Sequence, residues 1–135
     1  MSSPSAPIPD LEPDAPSLIS VDGHAALVGS RCTGCGGVGF PSRAVCYRCG
    51  SRATEQHPLG GAGTLYSWTT VHVSTARATP YDVGYVDMSV GGEPLRVFGQ
   101  LRPVQAPWQI GQAVEVQPVE DTAEGWAFAA IGADR

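Results

Sequence analysis

The chain has no lysine: all eight basic residues are arginine, set against 13 acidic ones, for a formal net charge of −5 and a pI near 4.9. General nucleic-acid binding rests on neutralising phosphates, so this balance argues against it. Long apolar runs are also missing. No stretch approaches the ~20 residues that a membrane-crossing helix requires, so no membrane role is expected. The opening MSSPSAPIPDLEPDAP lacks the basic start and apolar run of an export signal, and the expectation is a cytoplasmic protein.

Catalytic signatures are equally scarce. There is no G-x-S-x-G elbow, H-E-x-x-H zinc motif, Walker loop or dinucleotide fingerprint. The three histidines, His24, His57 and His72, are scattered along the chain and read as surface or sheet residues. Asp82 and Asp87 read as turn and edge carboxylates rather than as an acid–base pair. No catalytic residue is assigned, and the chain by itself reads as a binding or scaffolding module.

What the sequence does hold is concentrated in Arg31–Arg52, RCTGCGGVGFPSRAVCYRCGSR. All four cysteines lie here, Cys32, Cys35, Cys46 and Cys49, in the pattern C-x2-C-x10-C-x2-C. Two residues between cysteines allow one tight turn to aim both sulfurs at a single point. Two facing turns then supply the four thiolates that structural Zn2+ takes in a tetrahedron. Gly36 and Gly50 follow the two pairs, where positive φ lets the backbone fold beneath a metal-bound sulfur. Iron held as in rubredoxin has the same spacing, and would give a coloured, redox-active electron carrier. With four protein sulfurs bound, zinc keeps no position open for water, so its expected role is structural.

The ribbon also carries Arg31, Arg43, Arg48 and Arg52, half of the basic charge. These read either as solvated partners of the metal–thiolate charge or as a local anion site. Four thiolates (−4) around Zn2+ (+2) bring the whole chain to about −7.

On either side the chain divides simply. Residues 1–17 contain five prolines, which break any helix, and read as a flexible tail. Residues 18–53 form the ribbon with its lead-in, where His24–Ser30 reads as a short strand and Phe40 is expected to pack against the metal site. Residues 54–135 alternate apolar and polar residues between glycine turns, giving strands at Thr64–Ser74, Val83–Val90, Leu95–Leu101, Ala113–Val119 and Trp126–Ile131. Five short strands fit a small closed barrel of OB type, with Gly60–Gly63 bending a long first strand. Along Thr64–Ser74, period-2 reading puts Leu65, Ser67, Thr69, Val71 and Val73 inside. Tyr66, Trp68, Thr70, His72 and Ser74 fall on the other face, either a covered sheet face or a recognition surface. The fold class is mainly β: a rubredoxin-like zinc ribbon followed by a five-stranded OB-type barrel. Because both parts also occur in nucleic-acid-binding proteins, base stacking on the strand aromatics is the alternative function.

The order RC-x2-CG, FP-x-R, C-x2-CGS, a G-x-G-T-L-Y-S-W-T strand, P-Y, V-D and I-G-x-x-V resembles the zinc-ribbon/OB-fold family catalogued as domain of unknown function 35. The matching pieces are Cys32–Cys35, Phe40–Arg43, Cys46–Ser51, Gly61–Val73, Pro80-Tyr81, Val86-Asp87 and Ile110–Val114, spanning about residues 22 to 131. Tyr47 and Ser42 stand where the motif often has proline, and neither touches a metal ligand. The resemblance implies a non-catalytic accessory subunit in a hetero-oligomer with a thiolase-like enzyme of acyl-CoA metabolism, an acyl-CoA lyase or acyltransferase complex. One candidate is a sterol-carrier-protein-x-type retro-aldolase acting on steroid side-chain CoA thioesters. It carries the metal ligands onto the four cysteines and no catalytic residue onto any position. On that reading Arg43, Arg48 and Arg52 would meet CoA phosphates, while Phe40, Tyr66, Trp68, His72 and Tyr81 would face the partner.

Overall fold

In a computed structural model the described residues are 18–21, 23–104, 106–120 and 124–131, and the expected tail at 1–17 lies outside them. The described residues form nine strands and no helix. None of their segments is a helix long and apolar enough to cross a membrane.

The first four strands make one small sheet. Strand β1 (Leu18–Val21) turns at Gly23 into β2 (His24–Cys32), and the two pair antiparallel from Leu18↔Leu27 to Val21↔His24. Further along, β2 pairs with the short β3 (Val38–Gly39) on one side and with β4 (Thr54–Gly60) on the other. The lead-in strand expected at His24–Ser30 is therefore longer and runs directly into the first metal ligand. Thr54–Gly60, which alternation alone attaches to the barrel, hydrogen-bonds in this first sheet.

The remaining five strands close a barrel: β5 (Ala62–Val71), β6 (Tyr81–Val90), β7 (Glu93–Leu101), β8 (Ala113–Pro118) and β9 (Trp126–Ala130). Their order around the barrel is β5-β6-β7-β9-β8, with β8 returning to β5. All neighbours are antiparallel except β7 and β9, which run parallel through the single pair Leu101↔Phe128. This is the five-stranded barrel of OB type that the strand count implies. The five expected strands each appear, with no end shifted by more than three residues.

Alternation fills the interior. Leu65, Val86, Val97, Leu101, Val114, Val116 and Phe128 are buried at its centre. Phe128 meets Trp126 edge-on, and Gly99 lies beneath both rings: a Cβ there would sit 2.7 Å from Trp126 and 2.8 Å from Phe128. Bare backbone at this point gives the two aromatics their space. Leu27, Val38 and Leu59 of the first sheet belong to the same buried cluster, so ribbon and barrel share one core.

Expectations about several side chains are corrected. A β-bulge between Leu65 and Ser67 inserts an extra residue opposite β6, so the two faces of β5 exchange beyond it. Trp68, expected to share the outer face with Tyr66, instead pairs with the buried Gly84 and packs on the core. Thr70 follows Trp68 and donates to Asp82 at 2.7 Å, while Thr69 is exposed. Val73, assigned to the interior, is 88% exposed, because β5 ends at Val71. Phe40, expected against the metal site, lies edge-on to Trp126 with ring centroids 5.8 Å apart. It joins the ribbon to the barrel.

Candidate metal centre and barrel face

The two cysteine turns are built alike. Cys32 N donates to Gly37 O at 2.8 Å and Gly36 N to Cys32 O at 2.9 Å. In the second turn Cys46 N donates to Ser51 O at 2.8 Å and Gly50 N to Cys46 O at 2.9 Å. Gly36 and Gly50 take φ of 83° and 77°, the left-handed conformation that the trailing glycines imply. The repeat makes the turns near-duplicates that face one another. The first is anchored by β2, which ends at Cys32, and by Thr33 N donating to Ala53 O at 2.8 Å. The second is tied down by Thr54 Oγ1 donating to Arg43 O at 2.8 Å.

The four sulfurs converge. Cys32 and Cys49 Sγ lie 3.6 Å apart, Cys35 and Cys46 Sγ also 3.6 Å, and all four fall within 4.8 Å of one another. A disulfide requires ~2.05 Å, so none is formed and all four cysteines are free. A tetrahedron with Zn–S bonds of ~2.3 Å has edges of about 3.8 Å, and the cluster fits that size. Cys32 and Cys46 are buried, Cys35 is half-buried and Cys49 is exposed.

The surrounding amides favour thiolate. Amide donation from Cys35 and Gly34 holds the Cys32 thiol down at about 6, against the desolvation that opposes ionisation. Cys46 is lowered chiefly by the Cys49 amide, with desolvation opposing and the Arg48 amide at 3.3 Å helping. At Cys49 the Ser51 amide pulls the same way, yet neighbouring Cys32 and Cys35 sulfurs prevail and push the thiol up to about 11. Four negative charges this close do not coexist without a cation, and a bound dication removes the conflict.

The arginines divide. Arg48 donates to Glu93 at 2.5 Å and to Cys35 O at 3.5 Å, clamping the second turn to the start of β7. The Glu93 carboxylate beside it raises the Arg48 guanidinium above its usual range. Arg31, Arg43 and Arg52 are exposed on the ribbon. Arg43 also donates its backbone amide to the buried Ser30 hydroxyl at 3.0 Å.

The residues expected to face a partner do not form one patch. Phe40 and Trp68 are committed to the core, and His72 stands exposed just past β5. Tyr81 is half-buried with the Arg77 guanidinium 4.7 Å over its ring. Tyr66 remains exposed at the bulge, under the Arg96 guanidinium at 3.5 Å. Sequence reading missed its neighbours: Tyr85 and Phe98 pair across β6 and β7 on the same outer face, ring centroids 5.2 Å apart. Their signal was present in the alternation, since Tyr85 lies between Gly84 and Val86, and Phe98 between Val97 and Gly99, all inward. Asp82 and Asp87 sit within β6 rather than at a turn. Asp87 accepts from Arg96 Nε at 2.6 Å and Nη2 at 3.1 Å.

Comparison with known proteins agrees with this architecture. Residues 26–55 match the ChsH2 rubredoxin-like zinc ribbon domain and residues 56–118 the ChsH2 C-terminal OB-fold domain. Benzoylsuccinyl-CoA thiolase subunit BbsA of Thauera aromatica is 35% identical over 127 residues, 87% of this chain and 86% of that protein. A DUF35 domain-containing scaffold protein of Pyrococcus furiosus is 33% identical over 96 residues, covering 69% of this chain and 67% of that one. Another, from Methanocaldococcus jannaschii, is 34% identical over 79 residues, 56% of this chain and 54% of that one. Among solved structures the Ltp2-ChsH2(DUF35) aldolase superposes with a TM-score of 0.61 at 28% identity, over 77% of this chain and 82% of that one.

Proposed function

The chain belongs to the ChsH2-type zinc-ribbon/OB-fold family, the DUF35 proteins, and from that premise we propose that it is an accessory subunit of a thiolase-like acyl-CoA enzyme. One observation carries the reading: the 35% identity to a thiolase subunit runs through both ribbon and barrel and covers most of each chain. The fold likeness to an aldolase that pairs Ltp2 with a ChsH2 DUF35 chain supports the same class of assembly.

The metal centre suits a structural part. All four positions of a tetrahedral ion are filled by Cys32, Cys35, Cys46 and Cys49, so Zn2+ bound there holds two turns together and activates no water. The chemistry then belongs to the thiolase-like chain, and this chain stabilises it and shapes its acyl-CoA site. For CoA phosphates the exposed Arg43 and Arg52 are the candidates, since Arg48 is neutralised by Glu93. Among acyl-CoA substrates the candidate is a thioester of a steroid side chain, and the likeness to an aldolase supports retro-aldol cleavage as the reaction class. Free cysteines poised for a metal fit the reducing cytoplasm.

The test is reconstitution. The tagged chain is expected to recover a thiolase-like protein from its host in stoichiometric amount, together with zinc and without iron. Adding it to that protein should raise activity or melting temperature. A chain that recovers no such protein and leaves acyl-CoA cleavage unchanged ends the proposal.

A further inference from the structure

The outer face of β5, β6 and β7 is unusual for an acidic protein. Tyr66, Tyr85 and Phe98 are 49%, 44% and 53% exposed, yet they form one row across three strands. Half-buried Val71 and Val83 continue the row toward a cleft of about 430 Å3, which Tyr81, Gln100 and Trp126 also line. Two arginines on this face lie over its rings. Arg96 gives two hydrogen bonds to Asp87 while stacking on Tyr66, and Arg77 lies over Tyr81. An aromatic surface with arginines held against its rings has the composition of an interface centre.

We infer that this face is where the thiolase-like subunit docks, an assignment that rests on the function proposed above. Net charge and area both argue against a second copy of this chain as the occupant. Two copies would each bring a formal charge of −5, and more once thiolates hold zinc, so the net charge opposes self-association at long range. Three strands of about nine residues make a footprint of ~400 Å2, half of the ~800 Å2 that each side of a stable interface buries. A flat self-stack ends at that footprint. A larger partner can extend past the strands, enter the cleft and cover the segment after β5, where Val73 stands 88% exposed.

The experiment uses the zinc-loaded full chain to capture its thiolase-like subunit from host extract, with mass spectrometry to identify it. Affinity is then measured with the purified pair. Phe98→Ala and Tyr85→Ala are each expected to weaken binding by about 30-fold or more, the range of central aromatic anchors. Gln56→Ala on β4 should bind as the native chain does. Hydrogen exchange on the native complex is the second readout, with new protection expected over 64–71, 81–90 and 93–101. If the native chain binds the subunit while both variants bind equally well, or protection is confined to the ribbon, the docking face is overturned and the accessory function stands. If no thiolase-like protein is recovered, both fall. A homodimer lost in Phe98→Ala would also overturn the assignment, by making a second copy the occupant.

Discussion

The two halves of this chain reach order by different means. The barrel closes five strands over buried Leu65, Val97, Val114 and Phe128, and its order comes from apolar packing, to which Leu27, Val38 and Leu59 of the first sheet add. Between residues 33 and 53 the ribbon has only a two-residue strand and few buried apolar side chains, so its shape depends on what joins the four sulfurs. A short segment with little core is where a metal contributes folding energy outright. The contrast is not total, because Phe40 on Trp126 and Arg48 on Glu93 tie the ribbon to the barrel.

Removing the metal should separate the halves most sharply. A strong chelator, or Cys46→Ser, is expected to abolish amide protection across 33–53 while β5–β9 keep theirs, as hydrogen exchange would record. Simultaneous collapse of both would show that the barrel also depends on the metal. The converse is Phe128→Ala, which empties the centre of the barrel and should cost about 3–5 kcal/mol in urea unfolding. Zinc content should stay at one ion per folded chain. Gly99→Ala is a smaller insult of the opposite kind, driving a methyl into Trp126 and Phe128, and about 1–3 kcal/mol is expected.

Acid sharpens the comparison further. A thiol lowered to about 6, as at Cys32, favours the thiolate-bearing fold above the ordinary thiol pKa, and that advantage disappears as pH falls through about 6. Proton uptake by the sulfurs should therefore release zinc on acidification, while the barrel, whose interior is apolar, keeps its circular-dichroism signal. At neutral pH the release of protons on zinc uptake should fall short of one per sulfur, because Cys32 is already ionised. Calorimetry in buffers of different ionisation heat measures it. The smallest effect belongs to Arg48→Ala. Its ion pair with Glu93 is solvent-exposed and screened, so melting should barely move, while zinc loss to a chelator becomes faster.

Sequence alone revealed what is local. The metal site could be read because each ligand pair is two residues apart and each turn closes on itself. The barrel strands could be read because alternation repeats along each. What escaped was non-local or broke the period. One inserted residue at Tyr66 reversed every later assignment on β5, and no propensity marks it. The contact of Phe40 with Trp126, the clamp of Arg48 on Glu93 and the pairing of β4 with β2 all depend on chain closure. Tyr85 and Phe98 were in plain alternation, but their meeting across two strands needs the register to be known.

The bend at Gly60 and Gly61 bears on how such chains can be recombined. Gly60 ends β4 in the first sheet with φ of 92°, and Gly61 packs against the Ala25 carbonyl while its own carbonyl accepts from Val116 N at 2.7 Å. Residues 54–60 thus follow the barrel's composition but the ribbon's hydrogen bonds. A chimera of two relatives joined just after the second cysteine turn would separate β4 from β2, its only partner strand among the described residues. A crossover placed at the glycine bend would carry each sheet across whole, and grafted ribbons should retain metal there and lose it at the earlier junction.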